Sequence, residues 1–177
     1  MISLRKLSDI FFFTATNLQW KKLLAEDIHK QIITDSLRFL VKEGRIKVTG
    51  FVIMPNHIHL IWQILKPFKK SDVQRDFLKY TAQQIRFEMI KNNSLLLDQI
   101  VVNSKDRKTQ IWERKALSFE LDNTQTLLQK LNYIHNNPLQ EKWKLVNLQE
   151  EYAFSSAGFY LKEDKKFDFI THFSEIM

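Results

Sequence analysis

The segment Met54-Pro-Asn-His57-Ile-His59-Leu60 constrains this chain more than any other stretch. It lies between two runs, Phe51-Val-Ile-Met54 and Leu60-Ile-Trp-Gln-Ile64, that read as buried strand. Side chains on a strand alternate between faces. His57 and His59 therefore project to one side with Ile61 and Gln63. Ile58, Leu60, Trp62 and Ile64 project to the other, where a core can receive them. Two imidazoles held side by side by a rigid backbone are half of a metal site. On spacing alone, two polar residues on a solvated face is an equally good reading.

The flanking pattern predicts the fold. Ile10-Phe-Phe-Phe-Thr-Ala-Thr16 is short, aromatic and β-branched, which reads as a strand. Residues 22–43 carry a helical stripe of Leu24, Ile28, Ile32 or Ile33, Leu37, Leu40 and Val41, and Gly44 follows where a helix stop belongs. Ile46 to Met54 is a second strand. Pro55-Asn56 makes the turn into the histidine strand, which runs back antiparallel and ends at Pro67. Ser71-Asp-Val-Gln74 has the shape of a capping box opening a helix to about Lys91. A short apolar run follows at Leu95 to Val102, and Ile111-Trp112 offers a last strand. Asp122 or Asn123 caps a further helix to about Asn137, and Pro138 discourages the residue before it from staying helical. This order predicts an α+β, ferredoxin-like βαββαβ unit: an antiparallel sheet with helices on one face, plus a C-terminal helix. The sheet face carrying the histidines then needs a cover or serves as a working surface.

Composition narrows the classes. A chain of 177 residues that is 44% hydrophobic, with 14 Phe and 4 Trp, has enough apolar side chain for one sizeable core. One domain over 1–177 is expected, with 139–177 as a packed extension. The absence of Cys excludes a disulfide framework, a cysteine-ligated zinc finger and a cysteine nucleophile. Only 3 Gly leave little from which to build a phosphate-binding loop. The leader shows no cleavage pattern and no apolar run reaches membrane length, so a soluble, cytoplasmic protein is expected. A net charge of +7 and a pI near 9.5 suit a polyanionic partner.

The last predicted helix contains Leu131-Asn-Tyr133-Ile-His135-Asn-Asn137-Pro138. Leu127, Leu131 and Ile134 form its apolar stripe, and His135 falls near that stripe beside Leu128. Tyr133 and Asn137 lie one turn apart on a half-polar flank shared with Lys130 and Gln129. Taken alone, such a pair is plain surface or a cap. If this helix crosses the open sheet face, the Asn137 oxygen can complete a site begun by His57 and His59, with Tyr133 beside it.

Met54-Pro-Asn-His-Ile-His-Leu60 together with Tyr133-Ile-His-Asn-Asn-Pro138 resembles the single-tyrosine HUH transposases, and among them the REP-associated tyrosine transposases and their insertion-sequence relatives. Ile111-Trp-Glu-Arg114 and Tyr152-Ala-Phe-Ser-Ser-Ala157 share the likeness, which runs from about residue 10 to 160. The resemblance implies that His57, His59 and Asn137 hold a divalent metal and that Tyr133 is the nucleophile. It also implies cleavage of single-stranded or hairpin DNA through a 5′-phosphotyrosine link, leaving a free 3′-hydroxyl. Ligand chemistry alone leaves zinc, manganese and magnesium open; the resemblance implies Mg2+ or Mn2+. The partner is then single-stranded or hairpin DNA in the nucleoid, with no membrane, and the protein a monomer or homodimer.

Phosphate contacts are expected from Lys66, Lys69, Lys70, Arg75, Lys79, Arg114 and Lys130, and from a Lys21-Lys22 loop. Trp20, Trp112 and Trp143 are candidates to stack on unpaired bases, with Trp112 favoured and Trp62 assigned to packing. Tyr80 is a rival nucleophile, read as packing or DNA contact. Two other functions compete: a domesticated protein that binds hairpin DNA or RNA without transposition, and a metal-assisted phosphoesterase in which water attacks.

Overall fold

The computed structural model describes residues 7–176; the basic leader through residue 6 lies outside them. Four strands, β1 (Ile10–Thr16), β2 (Ile46–Ile53), β3 (His57–Ile64) and β4 (Leu117–Glu120), form one antiparallel sheet in the order β2-β3-β1-β4. The helices α1 (Asp27–Lys42) and α2 (Lys70–Lys91) cover one face, and α3 (Thr124–Asn136) crosses the other. This is the expected ferredoxin-like arrangement with an added helix, and the open face is covered.

The alternation read from the histidine strand sets up two cores. Ile58, Leu60, Trp62 and Ile64 join Phe13, Phe51, Leu37 and Phe77 between the sheet and α1/α2. Ile61 joins Phe12, Val52, Leu127, Leu131 and Ile134 beneath α3. Cross-strand pairing of Thr14 with His59 and Thr16 with His57 puts those residues on the α3 side. Gly50 makes room for the helix. It lies beside an irregularity in the β2–β3 ladder, and a Cβ there would meet Leu131 Cδ1 at 2.5 Å. Gly44, at a φ of +64°, ends α1 as expected.

Four sequence expectations are corrected. The last strand is Leu117–Glu120, not Ile111-Trp112; Trp112 makes only an isolated bridge to Asn17. Ser71 does not cap α2, which starts at Lys70 after Lys69 with no side-chain cap, so the capping box is unused. The first helix begins at Asp27 rather than 22, because Leu23 and Leu24 are turned inward ahead of it. Asn137 keeps right-handed helical angles despite Pro138, and the chain passes directly into a 3-10 turn at Asn137–Leu139. The 139–176 segment packs on β2: Ser155 bridges Val52, Ile170 bridges Val48, and Phe154, Phe167 and Phe169 enter the larger core. Among the described residues, no helix is long and apolar enough to cross a membrane.

Candidate active site

His57 and His59 are buried on the α3 side of the sheet, with ring centroids 4.8 Å apart. Each ring has its Nδ1 engaged. The His57 Nδ1 lies 2.7 Å from Asn56 Oδ1. Because Asn56 Nδ2 donates to the Trp20 carbonyl at 3.1 Å, its Oδ1 is the accepting end of that amide, so His57 Nδ1 carries the proton. That leaves Nε2 with its lone pair. The His59 Nδ1 lies 2.7 Å from Thr14 Oγ1, an anchor from the neighbouring strand. Burial pushes both pKa values down, to about 4 for His57 and about 3 for His59. The positive charges of Lys142 and, for His59, Lys130 add to the effect. Both imidazoles are therefore neutral at physiological pH, the form that binds metal.

Helix α3 brings the second half. Its stripe of Leu127, Leu131 and Ile134 packs on the sheet, and this seating rolls Tyr133 and Asn137 toward the histidines. The Tyr133 ring lies 5.3 Å from His59 at an interplanar angle of 64° and 6.2 Å from Phe12, and it is 42% exposed. One turn on, the buried Asn137 side chain is placed to accept a hydrogen bond from a protonated His57, which opposes part of that ring's pKa depression, while the neutral ring offers it no proton. The Asn137 Oδ1 makes no hydrogen bond of its own. A buried amide oxygen without a partner costs free energy unless something binds it. Two neutral ring nitrogens and that oxygen form a donor set suited to a divalent cation. Asn137 is essential to the count: among the described residues, His, Cys, Asp and Glu alone form no group of three.

Lys130, one turn before Tyr133, stands over three rings, with its Nζ 5.0 Å from Phe12, 5.3 Å from Phe119 and 5.5 Å from Tyr133. His135 points away from the site. Its Nε2 lies 2.8 Å from Ser156 Oγ, which also accepts from the Phe51 N–H at 2.9 Å. This contact ties α3 to β2 and to the Tyr152–Ala157 stretch. Tyr80 lies on α2, on the opposite side of the sheet from the histidines, and is half-exposed.

The expected phosphate contacts separate. Lys66, Lys69 and Lys70 follow the far end of β3, on the order of 20 Å along the strand from the histidines; Lys70 caps the Phe11 ring there at 4.7 Å. Arg75, Lys79 and Arg114 instead share a groove of about 740 Å³ between α2 and the 106–114 segment. Arg86 and Arg107, which the sequence did not single out, line it too, facing Asp106 and Glu113. Arg75 pairs with Asp72 and Asp76, and Arg107 and Arg114 with Asp106, while Lys79 and Arg86 make no ion pair among the described residues. No sequence signal announces this groove, because its two walls are remote in the chain. Trp112 is not a stacking surface: it is 5% exposed and its Nε1 donates to Thr81.

A four-stranded 2-3-1-4 sheet with a tyrosine helix laid over a histidine pair has the fold of the tyrosine transposases, as the sequence resemblance implied. A REP-associated tyrosine transposase bound to a REP hairpin matches with a TM-score of 0.61 at 19% identity, over 86% of this chain and 78% of that one. A Deinococcus radiodurans R1 protein that carries a transposase assignment matches with a TM-score of 0.50 at 13% identity, over 77% of this chain and 94% of its own. No family model and no curated protein matches the sequence.

Proposed function

We propose that this chain is a metal-dependent DNA strand-transferase that acts on single-stranded or hairpin DNA through Tyr133. The observation that carries the reading is the meeting of three things on one patch of the sheet: a half-exposed phenol ring centred 5.3 Å from that of His59, two neutral imidazoles, and the unpartnered oxygen of Asn137. The likeness to a tyrosine transposase held on a hairpin supports it, as does the basic groove, since phosphate contacts dominate non-specific affinity.

His57, His59 and Asn137 would hold the cation, Mg2+ or Mn2+. When bound, such an ion polarises a phosphoryl oxygen and offsets the charge that gathers there. Tyr133 supplies the nucleophile. Its phenolic oxygen forms a bond to phosphorus as the bond from phosphorus to the 3′-oxygen breaks, and the proton given up by the phenol balances the one gained by the 3′-hydroxyl. The phosphodiester energy is kept in the tyrosyl link, so the 3′-hydroxyl can attack it later and rejoin strands without a nucleotide cofactor. Exposure of Tyr133 suits a nucleophile that a polymer must reach, and burial of the ligands suits groups that must not move.

Incubation with end-labelled single-stranded DNA and Mg2+ or Mn2+, followed by denaturation, tests the reading. A covalent adduct that disappears in Tyr133→Phe supports it. Cleavage without an adduct would assign attack to water, and retention without cleavage would leave a binding protein.

A further inference from the structure

Beside the histidines, the segment from Asn17 to Lys21 is held in a strained form. Gln19 and Trp20 both have left-handed φ angles, 52° and 58°, a region that bulky side chains rarely enter. Hydrogen bonds fix it there: the Trp20 N–H donates to the Asn17 carbonyl at 3.0 Å, the Gln19 N–H to Glu113 Oε1 at 2.6 Å, and Asn56 Nδ2 to the Trp20 carbonyl at 3.1 Å. The same Asn56 side chain holds His57. The outcome is an indole 63% exposed and edge-on to His57, with centroids 6.2 Å apart. An exposed Trp on a relaxed loop needs no explanation. One held outward by strained backbone, and joined through a single amide to a histidine of the site, does.

We propose that Trp20 is a stacking platform for an unpaired base next to the phosphate that Tyr133 attacks; the identity of the polymer rests on the function proposed above. A base offers a flat apolar face that an exposed indole covers, whatever the sequence. In a duplex both faces are taken by neighbouring pairs, so the platform selects unpaired strands. Phosphates have partners at hand. Trp143 also lies beside His57, with ring centroids 6.0 Å apart, and Lys22 and Lys142 stand 5.9 and 6.0 Å from the Trp143 ring.

The test separates stacking from chemistry. In a Tyr133→Phe background without metal, a short oligothymidine is titrated while tryptophan fluorescence and Kd are read. Replacing Trp20 with Leu should remove most of the quenching and weaken Kd roughly 5- to 150-fold, and Trp20→Phe should recover most of the affinity. An all-abasic oligomer of equal length should bind the Trp20-containing protein as weakly as thymidine binds the Leu variant, with no further loss in that variant. Equal affinity for oligothymidine with Trp or Leu at position 20, or an abasic penalty that survives Trp20→Leu, would overturn the proposal. These readouts need no cleavage. A protein that forms no adduct but shows the stacking pattern refutes the strand-transferase and leaves the platform; an adduct without the pattern does the reverse.

Discussion

Thr14 and His59 face each other across the β1–β3 ladder, and the threonine hydroxyl sits 2.7 Å from the imidazole Nδ1. Partners of this kind orient a ligating ring and typically contribute 10–100-fold to metal affinity. Thr14→Val keeps the shape and removes the hydroxyl. We expect Mn2+ affinity, read by electron paramagnetic resonance, to fall by about that range, while the metal-free protein loses no more than about 1–3 kcal/mol from the unpartnered ring nitrogen and stays folded. Unaltered affinity would show that packing against Phe12, rather than Thr14, sets the ring.

Acid should loosen this protein through its buried histidines. His57, His59 and His135 have pKa values lowered to about 4, 3 and 4, against 6.5 when unfolded. Between these limits the unfolded chain binds more protons than the folded one, so stability is complete above about pH 6.5 and drains away as pH falls through 4 toward 3. In His57→Asn/His59→Asn, urea midpoints should fall less between pH 7 and pH 4.5 than in the parent. Parallel curves would argue against burial as the cause.

Gly50 and Leu131 should be energetically coupled. A methyl at position 50 meets Leu131 Cδ1 at 2.5 Å, so Gly50→Ala must push the leucine or lift α3, at about 1–3 kcal/mol. In a Leu131→Ala background the same change should cost little. A double-mutant cycle measures the difference, and strictly additive effects would mean that the helix is not seated by this contact.

Ser156→Ala tests the tie between α3 and β2. It leaves the Phe51 N–H and the His135 ring without their shared partner in a buried place, which costs about 1–3 kcal/mol. Chemical denaturation should register that loss, and a smaller one would mean that the two groups find other partners.

The histidine strand was legible because a period of two with β-branched and aromatic residues on both flanks admits few alternatives, and the split of Ile58, Leu60 and Trp62 from His57 and His59 followed from it. Tyr133 and Asn137 could be paired from their one-turn spacing. Other features lay beyond local pattern. Strand β4 is four residues long with Phe119 as its main inward apolar residue, too short a signal to compete with Ile111-Trp112. The orientation of Trp20 depends on two left-handed residues for which Gln and Trp carry no propensity. Arg86 and Arg107 gain their meaning only when a helix and a loop meet.

The connection from β4 to α3 spans three residues, Leu121 to Asn123, and is stitched down by the Leu121 N–H to the Ile10 carbonyl and by the Leu7 N–H to the Asp122 carbonyl. So short a leash leaves the tyrosine helix no slack. Lending it to a second copy would mean unzipping the edge of the sheet first, so two copies meeting side by side would each find it easier to keep their own Tyr133.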